Sequence, residues 1–297
     1  MKKIILFLYC WLFIPVSFSQ TRVDSLLRKL HSPDNDYVFV VAHRADWRNA
    51  PENSNRAIEL AIAMGADMVE IDIRKTKDDQ FVVIHDKTID RTMTGKGKVE
   101  EFTVEELKKL RLRAGNGIKT YEHIPTLEEA LFICKDRILV NIDKGGTYIK
   151  EITPILRKTD TEKQVIIKGK YTVAKVKEEY GKNTGMLYMP IVDIDKPESW
   201  IELSNFLKDF KPIAVEACFK TDNFKELNRL SEITRQGSRI WINTLWDTLC
   251  GGHDDESAMT DKDANWGWVI KQGATLIQTD RPKELIRYLK EKGLRNL

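Results

Sequence analysis

Cysteine is scarce in this sequence, at four in 297 residues, and one of the four, Cys10, lies in an apolar terminal segment. The other three, Cys134, Cys218 and Cys250, cannot all pair within one chain, and their spacing matches no zinc-ligand pattern. A disulfide scaffold and a zinc site are therefore not expected. Cys134 in LEEALFICK and Cys218 in IAVEACF read as small buried hydrophobes. Low-complexity tracts, internal repeats and long runs of one charge are missing, and the formal net charge is only +3. That balance argues against a nucleic-acid tail or a polybasic membrane patch. No Gly-rich phosphate loop follows any apolar run, which argues against the nucleotide-binding folds. Only one long apolar run exists, from Ile4 to Val16, and it falls short of the ~20 residues that span a bilayer.

That run has its own layout. Lys2 and Lys3 precede it, and Ser17-Phe18-Ser19 follows with small residues at the first and third positions. This is the pattern of a secretory signal, so residues 1–19 are expected to be removed and the protein exported, to the periplasm or the medium. No membrane span is then expected in the remaining chain. Leu8 and Tyr9 are too large for a lipoprotein-type cleavage before Cys10.

From Tyr37 onward, short β-branched runs alternate with amphipathic segments. The runs are 37–43, 67–74, 137–143, 164–169, 186–192, 212–219, 239–246 and 274–280. Between them, apolar residues recur every three or four positions, as in NRAIELAIAMG, YIKEITPILRK and KELIRYLKEKG. Strict alternation of this kind gives a parallel sheet, and eight units favour closure into an α/β barrel, the (β/α)8 TIM barrel, over an open doubly wound sheet. Residues 20–297 are expected to form one such domain. After the second strand, residues 86–125 are too long for a βα loop of ~2–6 residues. An extra strand is expected at 81–85, and a short helix at 104–111 starting on a Thr103/Glu106 capping box. The segment reads as an insertion on the catalytic rim.

Candidate chemistry gathers at strand ends. Glu70 and Asp72 share one face of their strand, while Val69, Ile71 and Ile73 share the other. Two carboxylates so close repel unless they are protonated, separated by water or bridged by a cation. Oxygen-only donors favour one hard divalent ion, Ca²⁺ or Mg²⁺. Asp143 ends the third main strand, with Asn141 on the same face, and is placed to be a third ligand from another unit. His43 and His85 follow or end strands near these acids and suit general acid and base work on a phosphodiester. Arg44 carries a planar fork for phosphate oxygens. Lys144 would pair with phosphate or lie on the surface. Trp47, in the first βα loop, is placed to pack on the alcohol part of a substrate. His253, in the acidic loop GGHDDESAMTDKD, is expected in a solvated loop, a second cation site being the less favoured alternative. Trp266 and Trp268, two apart on a helix, cannot share one face, so at least one belongs to the core.

Ala42-His43-Arg44, Pro51-Glu52-Asn53-Ser54, Glu70-Ile71-Asp72 and His85-Asp86-x-Thr88-x-Asp90-Arg91-Thr92 together resemble the glycerophosphodiester phosphodiesterase family, as do Trp241-Ile242-Asn243 and Thr279-Asp280-Arg281-Pro282 near the end. The resemblance implies a TIM barrel with an insertion after the second strand. It also implies cation-dependent cleavage of a small-molecule glycerophosphodiester to an alcohol and glycerol 3-phosphate. His43 and His85 then match the acid–base pair, and Glu70, Asp72 and Asp143 the metal ligands. Arg44 matches the phosphate contact, and Glu52 and Trp241 are site-lining. The glycerol 2-hydroxyl would attack phosphorus, and water would open the cyclic phosphate.

Three departures bear on the substrate. Ala45 replaces the usual Gly, and Trp241-Ile242-Asn243-Thr244 replaces Trp-Thr-x-Asn. Asp143-Lys144 replaces Glu-x-Lys, so Lys144, one position early, is expected to point away, with Lys168 supplying the charge instead. The alternatives are a barrel phosphodiesterase acting on lysophospholipid or inositol phospholipid, a noncatalytic binding protein on the same barrel, and a metal-independent hydrolase.

Overall fold

The computed structural model describes residues 20–32, 35–180 and 187–296. The expected leader, 1–19 with Cys10, lies outside the described residues. The strands are β1 (Phe39–Ala42), β2 (Met68–Lys75), β3 (Phe81–Val83), β4 (Leu139–Asp143), β5 (Val165–Gly169), β6 (Leu187–Asp193), β7 (Ala214–Cys218), β8 (Arg239–Asn243) and β9 (Ala274–Thr279). The helices are α1 (Arg22–Leu30), α2 (Asn55–Met64), α3 (Val104–Lys109), α4 (Leu127–Cys134), α5 (Ile149–Lys158), α6 (Val173–Tyr180), α7 (Ser199–Asp209), α8 (Leu230–Arg235), α9 (Asp255–Thr260), α10 (Trp266–Lys271) and α11 (Pro282–Glu291).

Every strand but β3 is parallel to its neighbours, in the order β1-β9-β8-β7-β6-β5-β4-β2, and β1 pairs with β2 to close the ring. The fold is thus the (β/α)8 barrel that the alternation implied. Antiparallel β3 hangs on the far half of β2, pairing Ile73 with Val83.

The two-residue period of the strands sorts their side chains. Val69, Ile71 and Ile73 of β2, with Val140 and Ile142 of β4, join the layer packed on α2, α4 and α5. The alternate residues Phe39, Val41, Met68, Leu139, Ile166, Met189, Ala214, Trp241 and Leu276 fill the lower barrel. Helix α1, unforeseen in the sequence, plugs that end with Val23, Leu26 and Leu30. A Thr21/Asp24 capping box starts it, and buried Arg239 holds the Leu30 carbonyl at its end and the Ser32 carbonyl just beyond. Higher in the barrel, the same inward positions turn polar: Glu70, Asp72, Asn141, Asp143, Lys168, Glu216, Asn243 and Gln278. Charge buried in a barrel interior needs partners: Glu216 pairs with Lys168 and accepts from Asn243, while Asp72 and Asp143 take Lys144 from the strand end.

The insertion carries its own small core of Val82, Ile84, Ile89, Met93, Val99, Leu107, Leu112 and Ile124. The expected strand at 81–85 stops at Val83, and the expected helix at 104–111 stops at Lys109. Segment 223–233, though apolar at helical spacing, is a 3₁₀ turn over Lys225–Arg229 followed by the short α8.

Candidate active site

The barrel's closure sets the first pair. Ala42 of β1 is in register with Thr279 of β9, which brings the next residues, His43 and Asp280, side by side. His43 Nδ1 lies 2.7 Å from Asp280 Oδ1, and Trp47 Nε1 donates to the same oxygen at 2.6 Å. With Nδ1–H donating to the carboxylate, Nε2 is the nitrogen left for proton transfer. Burial pushes the His43 pKa down, but the Asp280 hydrogen bond and the charges of Glu70 and Asp280 outweigh it and raise the value above 6.5. Asp280 is in turn lowered: burial opposes ionisation and the His43 bond overcomes it.

Asp280 has its own support. Asp255 at the start of α9 accepts the Asp280 backbone N–H at 2.7 Å through Oδ2, and Thr244, Trp266 and Thr279 donate to its Oδ1. Burial still pushes the Asp255 carboxyl up to about 6. The acidic loop expected to be solvated therefore contributes a buried brace. His253 stacks on Trp268 at 3.9 Å and donates from Nδ1 to the Ala264 carbonyl, and Trp266 is the core tryptophan of its pair.

The acids meet as the strand faces required. Glu70 is in register with Asn141, and Asp72 with Asp143. Glu70, Asp72 and Asp143 each offer an oxygen within 4.8 Å of the other two, the one such cluster among the described residues. Glu70 and Asp72 are buried, and burial together with the Asp72 charge raises the Glu70 pKa. Asp72 also receives Asn53 Nδ2 at 3.0 Å, and Asn53 Oδ1 accepts the Asp72 N–H. In the sequence Asn53 stands out only as part of a motif; in the fold its amide locks one metal-ligand candidate at both ends.

Arg44 hangs over this cluster. Its N–H donates to Glu70 Oε2 at 3.0 Å and its Nη1 to Glu52 Oε1 at 3.0 Å. Its Nε is buried with no hydrogen-bond partner, and Asp72 Oδ2 stands 3.8 Å away. Positive φ at Arg44 (50°) and Ala45 (62°) turns the chain back over the strand ends. At the Gly-to-Ala departure the methyl is accepted within the core.

The second histidine is built by the insertion. His85 Nδ1 lies 2.7 Å from Asp86 Oδ1, repeating the His43–Asp280 pairing. Arg91 forks onto both Asp86 oxygens at 2.7 and 3.0 Å, and its Nη atoms donate to both Glu52 oxygens at 2.6 and 2.8 Å. Arg91 thus ties His85's partner to the carboxylate that holds Arg44, and it lowers the Asp86 pKa. Its sequence signal was its place in the His85–Thr92 motif, and no role followed from it there.

The lysines correct one expectation. Lys144 does not point away. Its φ of 64° reverses the strand direction, so Nζ reaches Asp143 Oδ2 at 3.0 Å and also bonds Asp72 Oδ1. Strand periodicity fails here because the left-handed residue ends the strand. Lys168 does face the cluster, but from beneath. It is buried against Glu216 at 3.2 Å, and the charges of Glu216, Asp143 and Glu70 raise its pKa against the pull of burial. Trp241, expected to line the site, is fully buried one layer lower, under Lys168 Nζ at 5.7 Å, and meets the polar layer through Asn243 Oδ1. Its size puts it in the barrel core. Trp47 lies against Gly115 of the insertion, where a Cβ would stand 3.4 Å from its ring.

A family model described as "Glycerophosphoryl diester phosphodiesterase family" matches residues 43–189, and one described as "Domain of unknown function" matches residues 188–289. The two meet inside β6, whose neighbours β5 and β7 pair with it on either side. The chain is 41% identical over 138 residues to the glycerophosphodiester phosphodiesterase of Caldanaerobacter subterraneus subsp. tengcongensis, covering 44% of this chain and 57% of that protein. It is 33% identical over 193 residues to YhdW of Bacillus subtilis, whose name carries the same family term, covering 65% of this chain and 70% of that protein. Among solved structures, a glycerophosphoryl diester phosphodiesterase from Parabacteroides distasonis superposes with a TM-score of 0.76 at 25% identity, over 91% of this chain and 92% of that one. An Oleispira antarctica phosphodiesterase, solved with its product sn-glycerol-3-phosphate, shares the fold at a TM-score of 0.64 and 20% identity, over 85% of this chain and 96% of that one.

Proposed function

Since this chain belongs to the glycerophosphodiester phosphodiesterase family, we propose that it is an exported, cation-dependent enzyme that hydrolyses glycerophosphodiesters to an alcohol and glycerol 3-phosphate. The observation that carries the reading is one barrel mouth holding two histidines, each with an aspartate on Nδ1, beside three carboxylates and a buried arginine Nε with no hydrogen-bond partner.

The three acids fit a hard divalent cation, Ca²⁺ or Mg²⁺: all their donors are oxygens, and burial together with the Asp72 charge raises the Glu70 pKa, so a cation there would favour its ionised form. Glu70, Asp72 and Asp143 would hold it, and bound there it would stabilise charge on the phosphoryl oxygens and lower the pKa of the attacking hydroxyl. Arg44 Nε donates to a non-bridging phosphate oxygen, its guanidinium fixed by Glu52. His43, whose proton affinity is raised, protonates the leaving alkoxide through Nε2. His85 takes the proton from the glycerol 2-hydroxyl as it attacks phosphorus, and the cyclic phosphate then opens with water. Export rests on the signal-like layout of residues 1–19. Residues 20–297 act as a single catalytic domain, since the barrel needs strands from both matched segments.

A second reading, cleavage of lysophospholipids, is favoured by Ile118 and Tyr121 on the insertion, 64% and 91% exposed. The test is glycerol 3-phosphate release from glycerophosphocholine, glycerophosphoethanolamine and glycerophosphoglycerol, beside choline release from a long-chain lysophosphatidylcholine, by wild type, His43→Ala and His85→Ala. Release from the short substrates that both variants lose supports the proposal. Turnover of the lipid alone would favour the second reading, and no turnover of any substrate would favour a binding protein.

A further inference from the structure

We propose that Lys144 is a built-in competitor for the divalent cation: its ammonium holds Asp72 and Asp143 and gives them up when the ion binds. The inference rests on the reading of Glu70, Asp72 and Asp143 as a cation site.

The backbone shows that the placement is specific. On β4, Asp143 faces inward, so a following residue in extended conformation would face the helix layer. Lys144 instead adopts φ 64°, ψ −2°, a conformation that residues other than Gly, Asn and Asp seldom take. The turn after it is tightly set. A Cβ on Gly145 would stand 2.8 Å from Ile142 Cγ2, and one on Gly146 would stand 3.0 Å from the Lys168 carbonyl oxygen. Two small residues packed against β4 and β5 thus fix the path that folds Lys144 back over the strand end.

The contacts show what the placement does. The Lys144 N–H donates to Asp143 Oδ1 at 2.9 Å, and Nζ donates to Asp143 Oδ2 at 3.0 Å and to Asp72 Oδ1. One side chain therefore engages two of the three carboxylates in the cluster. A dication drawn to the same oxygens would meet an ammonium already there, and like charges at that range repel strongly in a partly buried site.

The two lysines of the site differ in freedom. Lys168 is sealed beneath the cluster against Glu216, with 5% of each side chain exposed. Lys144 reaches in from the solvent side with 23% of its side chain exposed. Lys144 is the one that can leave. Its flexible stem then places the ammonium at the mouth, beside the phosphate that Arg44 is set to hold. Cation and phosphate binding are therefore coupled through one side chain, and the coupling is reciprocal.

The experiment is calorimetric titration of Ca²⁺ and Mg²⁺ into the full chain as wild type, Lys144→Met and Lys144→Gln, each checked for an unchanged unfolding profile. The same titrations are repeated with glycerol 3-phosphate, with and without the ion. Either neutral variant is expected to bind the cation about tenfold tighter than wild type, the scale of releasing one partly buried competing charge. The cation is expected to strengthen glycerol 3-phosphate binding more in wild type than in either variant. Cation affinity that is unchanged or weaker in both neutral variants would overturn the inference while leaving the cation site in place. Failure of all three proteins to bind either ion would overturn both.

Discussion

Asp280→Asn isolates the charge behind His43 while keeping the shape of the side chain. In the structure a single oxygen, Asp280 Oδ1, receives both His43 Nδ1–H and Trp47 Nε1–H. An asparagine carbonyl placed there can still accept both, so geometry is conserved and the negative charge is lost. A hydrogen bond to a charged group contributes ~1.5–3 kcal/mol against ~1 kcal/mol for a neutral one, so ~0.5–2 kcal/mol of imidazolium stabilisation should go. That corresponds to a fall of about 0.4–1.5 in the His43 pKa and roughly 2–30-fold in a step that needs the protonated ring. The assay is kcat/KM for glycerophosphocholine across pH. The limb reporting the proton donor should move to lower pH by about one unit, with the loss greatest on its alkaline side. An aryl leaving group, which needs little protonation, should recover most of the rate. Trp47→Phe, which keeps the His43–Asp280 pair, should leave that limb in place. An unshifted limb in Asp280→Asn would refute the assignment of His43 as the donor tuned by Asp280.

Lys168→Met strands Glu216 in the barrel interior, and removing one member of a buried pair costs ~3–5 kcal/mol; denaturant unfolding should show this, and Lys168→Met with Glu216→Gln should recover part of it. Arg91→Met cuts the fork joining Glu52 to Asp86, and because Arg91 is half exposed its stability cost should stay below ~1 kcal/mol. Its kcat/KM should nonetheless fall about tenfold through a loosened His85 and Arg44, and Arg91→Lys, lacking the planar fork, should not restore it; an unchanged kcat/KM would remove Arg91 from the positioning of His85. The His43–Asp280 pair should also mark the pH dependence of stability. His43 is raised above 6.5, so its share is complete below that value and fades as pH climbs through the raised one. Asp280 is depressed below 3.8, so its share is present above that value and fades as pH falls through the depressed one. The Tm gap between wild type and Asp280→Asn in EDTA should therefore be widest between pH 3.8 and 6.5 and narrow above it; a gap that widens steadily to pH 9 would contradict the pairing.

The barrel and its acids could be read from the sequence because they rest on local periodicity. Alternation of period two placed Glu70 and Asp72 on one face, and the strand rhythm placed Asp143 beside them. What could not be read depended on closure and on backbone reversal. His43 and Asp280 are 237 residues apart, and only the β1–β9 register makes them neighbours. Lys144 broke the strand rule because its positive φ overrides side-chain alternation. Asp255 looked like part of a solvated acidic loop, since nothing local shows the four donors that converge on it from the ends of β8 and β9 and from α10. Arg91 was visible as a motif letter, but its partners Glu52 and Asp86 come from different loops. Helix α1 did carry a legible signal, the Thr21/Asp24 capping box before an amphipathic run.

The most direct test of the site as a whole is glycerol 3-phosphate release from glycerophosphocholine by the chain stripped with EDTA and then titrated with Ca²⁺ or Mg²⁺, beside Glu70→Gln and Asp72→Asn. The cluster geometry leads to no release after stripping, recovery on adding back one of the ions, and a loss of about 10²-fold or more in both variants at saturating ion. Full activity in EDTA, or variants that match wild type, would contradict the assignment of these three carboxylates as the cation site.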